Sequence, residues 1–309
     1  GGVFDRHAKS LTLSPEIKKR FNITKNRVTP NELIRALLAA QVDLLWFAGI
    51  GTYVKSSGES AAEVGDRAND AVRVDVPALR CRVIGEGANL GVTQRARIEF
   101  ALGGGRVYTD FIDNSAGVDC SDHEVNIKLL LDQLAAAGEM TRKQRNALLV
   151  RMTGEVAELV LRDNYLQSQA INLIDANRLR VFDDQVRLMR LLEKKGRLNR
   201  EVEFLPDDET LGERAAAKQG LAAPEISVLM CYSKIWLYDE LLQSDLPDDP
   251  YLAADLIGYF PAPLRRKYKK AIGGHRLRRE IIATVAANSL VNRVGETFVR
   301  EVLARVPVP

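Results

Sequence analysis

The sequence predicts an α/β layer followed by an all-α region, with the change near residue 125. Three observations carry this. Glycine is concentrated early, with thirteen of the 22 glycines before residue 126. The glycines cluster beside short apolar runs, the pattern of buried strands that end in tight turns. Beyond residue 125 the apolar period lengthens to three or four residues, that of a helix. The first domain is therefore placed at 1–125 and a helical region at 126–309.

In the first domain the glycine clusters are Gly49-Ile-Gly51, Gly85-Glu-Gly87-Ala-Asn-Leu-Gly91 and Gly103-Gly-Gly105. The strands they flank are expected at Val42–Phe47, Arg80–Ile84 and Arg106–Ile112. Thr29 is expected to cap a helix over Pro30–Ala40, with Pro30 in its first turn and Glu32 closing a capping box. Thr93 is expected to cap a second helix that runs through Leu102 and stops at the glycines. In the helical region Leu148, Leu149, Met152, Val156, Leu159 and Val160 form one apolar stripe. Leu179, Phe182, Val186, Met189 and Leu192 form another, ended by Gly196. Pro224 opens a further helix containing Ile226, Leu229, Met230, Trp236 and Leu241, which the prolines of 245–250 must break. Two last helices are expected at Pro263–Ile272 and His275–Val302, the second interrupted at Gly295.

Composition excludes several classes. With 309 residues, 46% apolar and 28% charged, the chain has the balance of a globular protein with a sizeable core. No apolar run reaches the roughly 18 residues of a membrane helix, so no membrane partner is expected. The first residues, Gly-Gly-Val-Phe-Asp-Arg, show neither an initiator Met nor a signal peptide, and read as the interior of a longer chain. The formal charge is only +3, too small for a global grip on nucleic acid. Segregated charge occurs once, in Arg265, Arg266, Lys267, Lys269, Lys270, Arg276, Arg278 and Arg279, which form either a solvated helix face or an anionic contact surface. Cys81, Cys120 and Cys231 match no zinc or redox spacing, as expected of idle thiols in a reducing cytoplasm.

The Gly85–Gly91 turn invites comparison with a dinucleotide fingerprint, and Asp110 lies near the distance expected of a ribose-binding acid. The third glycine comes one residue late, however, and Glu86 would repel a pyrophosphate; a turn needing positive φ is the plainer reading. Ligands of open α/β sheets nevertheless bind at the carboxyl ends of strands, where these turns fall. The densest polar stretch, Asp113–Glu124, offers Cys120 with His123 as a nucleophile pair, or Asp119, Asp122 and His123 as metal ligands. Residues so close together need a distant partner that the sequence does not indicate, so no metal is expected. A capping box of Ser121 with Glu124, on a helix beginning near Asp122, fits better, and its exposed N–H groups could receive an anion.

Two of these segments carry a family resemblance. Glu86-Gly-Ala-Asn89 followed by Thr93 resembles the E-G-A-N-x-x-x-T segment of glutamate dehydrogenases. Asn114-Ser-Ala-Gly-Val-Asp-Cys-Ser121-Asp-His-Glu124 resembles their N-A-G-G-V-x-x-S-x-x-E segment, in the same order. Gly49–Lys55, Val64–Asp70, Asn114–Asn126, Arg162–Gln167, Pro224–Val228 and Leu246–Tyr251 are similar to the large bacterial NAD-specific members, so the resemblance covers nearly the whole chain. It implies a partial Rossmann-like parallel sheet in 1–125 and a C-terminal portion of the enzyme overall.

The resemblance also implies roles. Asn89 and Asn114 are placed at the nicotinamide end of NAD, and the turn containing Gly49 and Gly51 beneath the cofactor through its backbone. Ser121 matches a serine that holds the substrate's side-chain carboxylate. Ser115 and Ala116 depart from the family's Ala-Gly, which bears on backbone approach to the ligand. The implied reaction is oxidative deamination of L-glutamate by NAD⁺ to 2-oxoglutarate and ammonium, in a cytoplasmic homo-oligomer. The family's catalytic lysine and aspartate and its first phosphate loop all precede the point matching Gly1, so no catalytic residue is expected here and the chain alone is expected to be inactive. The alternative is a helical interaction module that binds an acidic partner or nucleic acid through 263–279.

Overall fold

The computed structural model describes residues 2–305, and contacts divide the chain into two compact units. The first comprises 1–114 with 222–225, and the second 115–221 with 226–309.

The first unit opens with β1 (Leu11–Thr12), α1 (Pro15–Phe21) and β2 (Arg27–Val28), β1 and β2 pairing antiparallel. Ser14 caps α1, and Asn22, at φ 54°, ends it. Next is α2 (Pro30–Leu38), where the Thr29–Glu32 capping box forms as the sequence predicts. Leu11, Leu13, Val28 and Leu33 close a small apolar cluster over these elements.

The remainder of this unit holds β3 (Leu44–Phe47), β4 (Val54–Lys55), α3 (Ala61–Val64), β5 (Val74–Asp75), β6 (Val83–Glu86), α4 (Gln94–Leu102) and α5 (Asp110–Asp113). β3 pairs with β6 and β4 with β5, both parallel. Single parallel bridges join Val54 to Val92 and Val83 to Arg106. Phe47, Val54, Val74, Ile84, Val92, Phe100 and Val107 form the core beneath them. Two of the predicted strands are therefore present, the first shortened to Leu44–Phe47 and the second shifted to Val83–Glu86. The third is corrected: Arg106 makes only a bridge, and 110–113 is helical. The Asp110 carboxylate accepts the Leu90 and Phe111 N–H groups and pairs with buried Arg97, while the Asn114 N–H closes the turn on the Asp110 carbonyl. These bonds hold the backbone out of strand geometry.

The second unit contains α6 (Ser115–Ala136), α7 (Arg142–Ala176), α8 (Arg178–Lys194), α9 (Asp208–Ala216), α10 (Ala223–Gln243), α11 (Ala253–Tyr259), α12 (Ala262–Lys267), α13 (Lys269–Gly273), α14 (Arg278–Val294) and α15 (Phe298–Arg305). Residues 223–225 of α10 group with the first unit. A short turn with Gly138 at φ +75° joins α6 to α7, and a Thr141–Gln144 capping box starts α7. Leu130, Leu131, Met152, Phe260, Leu264, Ile272, Ile281 and Ile282 share one core. The predicted stripes on α7, α8 and α10 are largely buried, although Leu179 is exposed. The prolines at 247 and 250 open separate 3₁₀ turns. Gly295, at φ +88°, ends α14. No helix among the described residues is long and apolar enough to cross a membrane.

The start of α6 corrects the sequence reading. Helix begins at Ser115 rather than near Asp122, so Ser121 lies inside it and caps nothing. Its Oγ donates to the Gly117 carbonyl at 3.2 Å, and Glu124 pairs with Lys128 instead of closing a box. The internal glycine costs about 1 kcal/mol of helix propensity. Ser115 Oγ offsets this by accepting the Asn164 side-chain amide at 2.9 Å, which ties the first turn to α7.

Candidate cofactor-side turns

The first unit brings two glycine-rich turns together at the carboxyl ends of β3 and β6. The Gly87 and Ala88 N–H groups both donate to the Phe47 carbonyl, at 2.8 and 3.1 Å. Beyond them, the Tyr53 and Val54 N–H groups donate to the Gly91 carbonyl, at 2.9 and 3.2 Å. The 87–91 turn is thus pinned at both ends, and its tip, Asn89, is exposed.

A buried ion pair fixes the inside of that turn. Glu86 is fully buried, and its carboxylate accepts Arg97 Nε at 2.7 Å and Nη2 at 2.9 Å, with the Val92 N–H at 3.0 Å. Such a two-pronged pair constrains orientation as well as position. Arg97 Nη2 also lies 3.3 Å from Asp110 Oδ2, which accepts the Leu90 N–H at 2.8 Å. Leu90 sits at φ 60°, the left-handed region expected of this turn, although at leucine rather than glycine. Both carboxylates that bore on the fingerprint comparison are therefore turned inward: Glu86 does not face a phosphate, and Asp110 holds the loop.

The glycines have packing reasons. A Cβ on Gly85 would lie 2.5 Å from the Trp46 ring, and one on Gly87 would lie 2.6 Å from it. Trp46 and Gly85 are register partners on β3 and β6, so the indole occupies the space that side chains would fill.

The turn after β3 is held from the other side. Asp66 accepts the Thr52 N–H and the Asn69 amide, each at 2.8 Å, and these bonds keep its carboxyl below the usual range. Buried Arg73 donates through Nε to the Thr52 carbonyl at 2.9 Å and pairs with Asp70. Gly51 adopts φ +113° against Asn69, while a Cβ on Gly49 would meet nothing. The Val64–Asp70 stretch thus gains a role in bracing that turn, and its Asp-x-x-Asn-Asp polarity is the available sequence signal.

Of the predicted site residues, Asn89 and Asn114 meet: Asn114 Nδ2 donates to Asn89 Oδ1. Asp113, at the start of the polar stretch 113–124, lies next to Asn114 in the chain. Its Oδ2 accepts the Glu86 N–H at 2.9 Å, and burial pushes its carboxyl up to about 6, the nearby Glu86 and Asp110 carboxylates adding to the shift. Ser121 belongs to the second unit, exposed on α6.

The basic segment 263–279 is partly neutralised within the second unit. Arg265 pairs with Glu155 at 2.9 Å, and Arg278 and Arg279 both pair with Asp248. Arg279 further donates to the Leu242 and Ser244 carbonyls. Cys81, Cys120 and Cys231 are unbridged, with only Cys120 exposed.

Residues 1–174 match the family described as bacterial NAD-glutamate dehydrogenase, catalytic domain, and residues 218–308 match glutamate dehydrogenase, C-terminal. The chain is 57% identical to an NAD-specific glutamate dehydrogenase of Pseudomonas aeruginosa, over 97% of its own length and 18% of the relative's. Identity is 52% to that of Halomonas elongata, over 98% of the chain and 19% of the relative. It is 45% to that of Mycobacterium tuberculosis, over 96% and 19% respectively. The chain thus spans roughly a fifth of the length of these relatives, the 18–19% above.

Proposed function

The chain belongs to the bacterial NAD-glutamate dehydrogenase family, and from this premise we propose that it provides the nicotinamide-side wall and one substrate contact for NAD-dependent oxidative deamination of L-glutamate. The products are 2-oxoglutarate and ammonium. The observation that carries this reading is the pairing of Asn89 with Asn114 on two separately braced turns.

The residues fit a nicotinamide nucleotide at that end. Two carboxamides offer both donors and acceptors, suited to a nicotinamide amide and a ribose hydroxyl. The neighbouring carboxylates, Glu86 and Asp110, are engaged with Arg97 and so do not oppose an anionic cofactor. When bound, NAD⁺ supplies the hydride acceptor. Asn89 and Asn114 orient the ring, and the backbone of the turn containing Gly49 and Gly51 supports the cofactor from below. Ser121 Oγ, exposed on α6, binds the glutamate side-chain carboxylate.

Within this proposal the parallel pairs β3–β6 and β4–β5 form part of a Rossmann-like dinucleotide layer in 1–125, with the helical region following from 126. The proposal extends to a cytoplasmic homo-oligomer, as the family resemblance implies. In a full-length enzyme carrying this sequence, Asn89→Ala raises KM for NAD⁺ and Ser121→Ala raises KM for glutamate, each with little effect on the other ligand. Equal effects on both ligands, or none, would reduce these residues to structural roles.

A further inference from the structure

A second polar cluster lies entirely within the second unit and has no part in the proposed reaction. Asp119 and His123 are four residues apart on α6, so they share one helix face. Asp163, on α7, joins them, and one ligand atom from each residue lies within 4.8 Å of the others. Asp163 is the distant partner that the sequence did not indicate.

His123 is buried, with one ring nitrogen turned to the cluster and the other unpaired. It is 2% exposed, yet its Nδ1 is buried without a hydrogen-bond partner among the described residues. Its Nε2 faces Asp119 Oδ1 at 3.8 Å, too far for a hydrogen bond. A metal ion at roughly 2.0–2.2 Å from each atom spans that separation. The ring is already oriented, stacked on Tyr259 at 4.4 Å between centroids. Tyr259 is in turn held by its hydroxyl, which donates to Asp122 at 2.6 Å.

The surroundings suit a cation. Two carboxylates this close repel each other unless a positive charge lies between them. Lys234 and Arg162 act on Asp163 by their charge, but the Lys234 ammonium gives its hydrogen bond to Gln167 Oε1 at 2.8 Å. Burial falls from His123 through Asp119 to exposed Asp163, which leaves an entry path from solvent. The Asn164–Ser115 bond fixes α7 beside the first turn of α6 and holds the two helices in register.

We propose that Asp119, His123 and Asp163 bind a divalent transition-metal ion, with one imidazole and two carboxylates as protein ligands and an open position for water. This mixed nitrogen and oxygen set suits Zn²⁺ or Mn²⁺ better than the all-oxygen sites of Ca²⁺ or Mg²⁺.

The test is titration of the chain with Co²⁺, a visible-absorbing stand-in for Zn²⁺, followed by displacement with Zn²⁺. We expect a saturable d–d band at one equivalent, without thiolate charge transfer, that Zn²⁺ abolishes. His123→Gln and Asp163→Asn each weaken the apparent affinity at least about tenfold, whereas Cys120→Ser leaves it unchanged. Should His123→Gln fail to fold, the exposed Asp163→Asn carries the same test. Absence of a saturable band with the unmodified chain overturns the proposal. So does a band unaffected by Asp163→Asn, or one lost with Cys120→Ser.

Discussion

Asn114 donates its side-chain amide to the Asn89 side-chain oxygen, linking two turns 25 residues apart in the chain. Each turn has its own bracing, Asn89 through the Glu86–Arg97 pair and Asn114 through the Asp110 turn. The bond therefore joins two preformed pieces. In a full-length enzyme carrying this sequence, Asn89→Ala and Asn114→Ala are expected to be non-additive in KM for NAD⁺. A double-mutant cycle should give a coupling of about 0.5–3 kcal/mol. Strict additivity would show that the two amides act separately.

The Glu86–Arg97 pair is buried on both sides, with Glu86 at 0% and Arg97 at 3% exposure. Removing one partner strands the other charge in the core. Arg97→Met is expected to destabilise the first unit by roughly 3–5 kcal/mol, measured by urea unfolding of the chain. Replacing both, Glu86→Gln with Arg97→Met, should recover part of that loss. A single substitution that changes stability by less than about 1 kcal/mol would contradict the assigned role.

Asp113 gives a pH dependence whose sign follows from its raised pKa. In the unfolded chain the group ionises near 3.8; folded, it does so at about 6. The protonated form thus favours the folded state, fully below the lower value. That contribution is lost as pH rises from 3.8 through 6 and is constant beyond. Asp113→Asn is expected to be more stable than the parent above pH 6, by on the order of 1–3 kcal/mol, with the gap closing towards pH 4. Thermal unfolding across that range checks it; a gap that widens on acidification refutes it.

Gly85 tests whether the turn's glycines serve packing. Gly85→Ala puts a methyl group 2.5 Å from the Trp46 ring, and overpacking of this kind costs about 1–3 kcal/mol. Adding Trp46→Leu should remove most of that cost, because a smaller side chain leaves room. Failure of the second change to restore stability would point to a backbone requirement instead.

Much of the frame was legible in the chain. Caps at Thr29 and Thr93, strands near 42–47 and 80–84, and the breaks at 245–250 and Gly295 follow from local chemistry. The errors were local too. A helix start at Asp122 and a strand over 106–112 were each plausible from adjacent residues. They fail because Ser115 is held by Asn164, 49 residues away, and Asp110 by Arg97 and Leu90.

By itself, then, the sequence determined several caps and chain breaks, and which family the two motifs resemble, since both depend on short-range residue order. Tertiary structure decided what the buried charged side chains do. Glu86 and Asp110 could have faced a phosphate, but a buried guanidinium eleven and thirteen residues away turned them inward. His123 and Asp119 lacked a third partner until packing brought Asp163 beside them. An ionised group's role depends on which opposite charge lies within a few ångströms, a distance that chain order does not encode.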